Sequence, residues 1–122
     1  MAVTGSLQLN ITTTGGPSGN RSVTTSRTIS AGVDQTTSQT LSSGANTITP
    51  PTGATLCVIF PPNASSPVPN PPNSATLTLK GITGDTGVAI SNTYPTFLEW
   101  DTAPATFVIT ASGSAAVEFF FA

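Results

Sequence analysis

The chain has no histidine, one cysteine, one tryptophan, one tyrosine and one methionine among its 122 residues. Without an imidazole there is no histidine general base and no histidine-ligated zinc. The lone cysteine, Cys57, excludes an intrachain disulfide and a cysteine-rich metal cluster. Charge is nearly as scarce. Arg21, Arg27 and Lys80 stand against Asp34, Asp85, Glu99, Asp101 and Glu118, which is 7% of the chain where ordinary soluble domains carry about 25%. Three cations cannot neutralise a run of phosphates, so no nucleic-acid partner is expected. No apolar run approaches the ~20 residues that span a bilayer, so no membrane partner is expected either. The opening Met1-Ala2-Val3-Thr4-Gly5-Ser6 lacks the basic and apolar regions of a signal peptide.

Serine and threonine, by contrast, supply 37 residues, 23 of them threonine, and glycine and proline add 11 each. Hydrophobic residues reach 37% with a net charge of only -2, which sets the chain apart from disordered sequences. Glu, Lys, Arg and Gln, the strong helix formers, are sparse, whereas Thr, Val, Ile and Phe favour strands. Glycine and proline also recur too often for helices of ordinary length. An all-β chain follows. The three Asn-x-Ser/Thr sequons, at Asn10, Asn20 and Asn63, are read as coincidence in a threonine-rich chain.

Residues 6–14 alternate, with Leu7, Leu9 and Ile11 on one side and Gln8, Asn10 and Thr12 on the other, the pattern of a half-buried strand. Residues 21–31 are weakly apolar and blunted by Arg21 and Arg27, as suits an edge strand. Two short strand fragments fall in 35–49 around Gly44-Ala45-Asn46. Residues 54–60 are apolar on both faces, which predicts a central strand covered on both sides. The segment 61–74 holds six prolines and reads as an extended loop. Further short strands are expected over 75–82, 88–91, 96–100, 105–111 and 115–122. Eight or nine short strands with turn signals every 8–12 residues predict an antiparallel β-sandwich, jelly-roll-like, as one domain over 1–122. Residues 1–14 form a strand or arm that could contact a neighbouring chain. In the last strand Val117, Phe119 and Phe121 share a face while Phe120 points the other way beside Glu118. That position is ordinary surface or a contact with another chain.

Candidate chemistry is thin. Asp85-Thr86-Gly87 matches the catalytic triplet of dimeric aspartic proteases, in which two carboxyls share one proton. Here it follows Ile82-Thr83-Gly84 rather than an apolar strand, and Asp and Gly are expected in a hairpin turn on backbone grounds. Glu99 and Asp101 could form a glycosidase pair or a calcium site, but Asp101-Thr102-Ala103-Pro104 reads as a turn. Cys57 lies in the most apolar strand with no base to activate it. Trp100 and Tyr94 are the only candidates for stacking on a sugar. No catalytic residue, metal ligand or cofactor is therefore assigned, and the expected work of the chain is contact.

Three stretches resemble the small all-β virion proteins of tailed bacteriophages: GANTITPPTGA (44–54), LTLKGITGDTGV (77–88) and ATFVITASGSAAVEFFFA (105–122). The likeness runs roughly from residue 40 onward and rests on turn and strand patterns. It implies a non-enzymatic cement or decoration protein on the capsid surface, made in the host cytoplasm. It further implies the major capsid protein or other virion proteins as partners, and a homo-oligomer. A tail, baseplate or fibre module is the alternative within virions, and a carbohydrate-binding or adhesin module the alternative outside them. The candidate interface residues are Leu7, Leu9 and Ile11 of the arm, Pro67 and Pro69 of the proline loop, and Phe120.

Overall fold

Glycine and proline cut the chain into short extended pieces. The structure, a computed structural model, describes residues 5–16, 19–29 and 35–122, and among these there is no helix. Ten strands are formed: β1 (Gly5–Gly16), β2 (Gly19–Ile29), β3 (Gln35–Leu41), β4 (Gly44–Ile48), β5 (Leu56–Phe60), β6 (Leu77–Lys80), β7 (Val88–Ile90), β8 (Thr96–Glu99), β9 (Phe107–Ala111) and β10 (Ala115–Phe121). The count exceeds the expected eight or nine because 35–49 holds two complete strands. Each is an edge strand, bonded on one side only and contributing few core residues, chiefly Leu41 in β3 and Ile48 in β4.

Two four-stranded antiparallel sheets, β3-β10-β5-β8 and β4-β9-β6-β7, form the expected β-sandwich. β1 and β2 pair with each other as a separate two-stranded sheet. In the sandwich β3 pairs with β10, β4 with β9, β5 with β8 and β6 with β7, so the partners nest one inside the next.

The core lies between the two sheets. Cys57, Ile59, Val117, Phe119 and Phe121 from the first sheet meet Ile48, Leu77, Phe107, Ile109 and Ala111 from the second. Alternation along β10 leaves Val117, Phe119 and Phe121 all buried, as the period-2 pattern requires. Phe107 meets Phe119 edge-on at 6.4 Å between ring centroids, Phe119 stacks on Phe121 at 6.1 Å, and Trp100 closes the row 6.4 Å from Phe107. Such pairs add about 0.5–1.5 kcal/mol each beyond their burial.

Buried amides hold the loops. Asn46 accepts from the Ser42 N–H at 3.0 Å and donates to the carbonyls of Ser42, Gly44 and Ile109, which fixes the β3–β4 turn on β9. Gly44, at the turn's exit, has φ of 101°, a conformation a side chain disfavours. Asn63 clamps the proline loop at its base: it donates to the Asn73 carbonyl and accepts from the Asn73 N–H, both at 2.8 Å. Asn92 adds its own bonds to the carbonyls of Asn73 and Ala75. Because the Asn63 side chain is buried and its amide is engaged, that sequon is structural.

Candidate interface on an outer sheet face

β5 explains why an outer face became apolar. Cys57 and Ile59 point into the core, and the intervening Leu56, Val58 and Phe60 therefore point out of the sandwich. The sequence expectation of cover on both faces holds at Leu56 and Val58 and fails at Phe60, which is exposed. The second sheet covers the inner side. On the outer side Leu56 and Val58 are also buried, with Phe120 and Ala122 packed against them.

Register extends the patch across all four strands. Phe120 lies opposite Thr36 on β3 and Val58 on β5, and Val58 lies opposite Phe97 on β8. The outer row therefore reads Thr36, Phe120, Val58, Phe97. The next row reads Ser38, Glu118, Phe60. Phe60 is 38% exposed and Phe97 51%, while Phe120 is half-buried. Glu118 is exposed between Ser38 and Phe60.

Beside this row lies a groove of about 420 Å³, with Phe60, Pro61, Pro62 and Ala64 on one side and Ser38 and Thr40 of β3 on the other. Ala116 and Glu118 of β10 lie between them. The Asn63–Asn73 clamp holds the base of the proline wall. Proline has little conformational freedom left to lose on contact, so such a wall is suited to docking.

Of the interface residues expected from sequence, Phe120 belongs to this face. Pro67 and Pro69 are exposed on the distal part of the same proline loop and do not line the groove. Leu7, Leu9 and Ile11 belong to β1, paired opposite Arg27, Thr25 and Val23, and their side chains lie outside the described residues. Phe97 was not among the expected residues. The signal was present in Thr96-Phe97-Leu98-Glu99-Trp100: if Leu98 and Trp100 face the core, Phe97 faces out.

The enzymatic candidates fall in ordinary structural positions. Asp85 is exposed in a surface turn, where its Oδ2 accepts from the Ile82 N–H at 3.0 Å. A Cβ at Gly87 would lie 2.6 Å from the Leu79 carbonyl oxygen, so this turn requires a glycine. Glu99 ends β8 and Asp101 follows in a bend, both exposed. Among the described residues no group of three His, Cys, Asp or Glu side chains could hold a metal ion. Burial pushes the Cys57 thiol up to about 12, which leaves it protonated and inert.

A second, open cleft of about 480 Å³ runs between the edges of β7 and β8 and is lined by Leu79, Val88, Leu98, Trp100 and Phe107. Trp100 is already committed, donating its Nε1–H to the Ala54 carbonyl at 2.7 Å. Comparison with family models, with curated proteins and with solved structures finds no match for this chain.

Proposed function

We propose that this chain is a non-enzymatic structural protein that packs against other protein chains through the outer face of the β3-β10-β5-β8 sheet. In this reading it is a cement or decoration protein of a phage capsid. The observation that carries the contact role is the outer face of this sheet, where Phe60 and Phe97 are substantially exposed on adjacent strands. An exposed apolar cluster of this kind marks an interaction surface more often than a scattered single residue does. Scarcity of charge supports the same reading, because the centres of stable interfaces are depleted in charged groups.

The virion assignment rests on the resemblance of 44–54, 77–88 and 105–122 to phage virion proteins. The nested pairing of eight strands in two sheets supports a jelly roll, the fold that resemblance implies. Repetition on an icosahedral shell would add avidity, so modest single contacts would suffice. The test is the mass of the purified protein by light scattering, with cosedimentation on undecorated phage capsids. Pelleting with capsids, and raised capsid resistance to heat, is the expected result. A protein that ignores capsids removes the cement assignment.

A further inference from the structure

We infer that the open edge of β3 pairs with β3 of a second copy of this chain, antiparallel about a two-fold axis at Ser38, so that two four-stranded sheets join into one. The inference goes beyond the contact role proposed above: it uses the edge of this sheet, not its outer face.

Hydrogen-bond parity shows what the edge offers. Leu56 and Ala122 exchange both backbone bonds, at 2.9 and 3.1 Å. Such pairs alternate in an antiparallel sheet, so Phe120 and Glu118 also turn their backbone groups to β5, and Val117, Phe119 and Phe121 turn theirs to β3. The answering residues on β3 are Gln39, Thr37 and Gln35. Thr36, Ser38 and Thr40 therefore direct their N–H and C=O groups outward, along an edge that no other strand of the sheet covers. Their side chains are exposed.

The other three edges of the sandwich are blunted. β7 has three residues. β8 follows Pro95 and ends at Glu99. β4 has five residues and is soon followed by Pro50-Pro51. Shortness, charge and proline are the usual guards against edge-to-edge pairing. β3 has none of them: it runs seven residues, Gln35–Leu41, without charge, proline or glycine, and its ladder to β10 is unbroken.

Self-complementarity decides the occupant. With Ser38 opposite its own copy, Thr36 meets Thr40, Thr37 meets Gln39, and every outward N–H and C=O of these residues finds a partner. Hydroxyl pairs across adjoining strands are favourable, and one patch serving both copies is the ordinary geometry of a dimer. The edge holds no charge to select a charged strand. The chain's own β2, which carries Arg21 and Arg27, is bonded to β1 in a separate sheet.

The test is sedimentation of the full-length chain, with far-UV circular dichroism to confirm that each variant is folded. The wild-type chain is expected to dimerise. Ser38→Lys alone and Ser38→Glu alone should each raise the dissociation constant about tenfold or more, because each sets like charges opposite one another at the axis. An equimolar mixture of the two should recover association, since opposite charges then meet there. Ser38→Pro removes an outward N–H without touching the ladder to β10 and should abolish dimerisation. Ala89→Lys, on the edge of β7, should leave it unchanged.

Wild-type chains that stay monomeric at every concentration overturn the inference. So does a mixture that associates no better than its components, because residue 38 then does not meet its own copy, as when the chain's own hairpin or an unrelated strand covers the edge. A monomer that still pellets with capsids leaves the virion reading standing and removes only the edge pairing. A dimer that ignores capsids does the reverse.

Discussion

On one outer face of the sandwich the central cross-strand row runs Thr36, Phe120, Val58, Phe97; on the other it runs Ala45, Thr110, Thr78, Ala89. Both rows sit on four-stranded antiparallel sheets over the same core, and threonine and phenylalanine are both good strand formers. Strand propensity therefore cannot explain why they differ. Water can. Apolar area left exposed forgoes about 25 cal/mol per Å². The threonine face suits solvent: its side chains are small, and a threonine hydroxyl can hydrogen-bond to water. The phenylalanine face forgoes stability in the isolated chain and recovers it only when covered. Buried valines sit in both faces, Val58 among Phe120 and Phe97, Val108 between Thr47 and Lys80, so burial at the sheet centre is common to the two. Exposure of the aromatic flank is what separates them.

The largest effect expected is one that abolishes the comparison by removing the interior both faces share. Phe119 is 1% exposed and packs against both Phe107 and Phe121. Phe119→Ala should cost about 3–5 kcal/mol, read as a shifted midpoint in urea denaturation. Next comes the groove wall, which only the phenylalanine side has. Asn63→Ala leaves the part-buried Asn73 N–H without its acceptor and should cost about 1–3 kcal/mol. Proteolysis of the 61–72 loop should rise with it, whereas cleavage elsewhere should not.

β5 offers a test of its inner side, one residue from the outward-facing Val58. The Cys57 thiol is raised by burial from 9.0 to about 12, so the folded state holds its proton more tightly than the unfolded chain does. That contribution is fully present below pH 9 and is lost as pH rises from 9 toward 12, at about 1.4 kcal/mol per pH unit. Denaturation midpoints across pH 8–10.5 should show the decline, and Cys57→Ala should flatten it. At pH 8 a thiol reagent should label the protein only after unfolding.

The smallest effects on folding are the most informative about the two faces. Phe97→Ser removes a half-exposed ring and should change monomer stability by about 1 kcal/mol or less, while sharply lowering association with capsids measured by cosedimentation. Thr47→Ser, on the opposite face, should stay within about 0.5 kcal/mol and leave association unchanged. Equal losses of association from both substitutions would erase the difference between the two faces.

Much of this was legible one strand at a time. Alternation in 115–121 located the buried trio Val117, Phe119 and Phe121, and the two-sided apolarity of 56–60 marked a central strand. The proline run marked a loop. Phe120 stood out as an apolar residue on the wrong side of its strand. Illegible in the same way were the partners: nothing local in Phe97 points to Val58, and nothing in Asn63 points to Asn73 as the other end of a clamp.

The sequence by itself determined the class of the protein, because propensity, period-2 alternation and turn residues act over a few residues and need no partner. It also determined that the chain has no histidine and a single cysteine. Only the tertiary structure decided which face of β5 became interior, and with it that Phe60, Phe97 and Phe120, from three separate strands, came to lie together in the open. Strand register is a long-range property: it is set by how a whole sheet closes over its core, and a one-residue slip would have turned every one of these side chains to the other side.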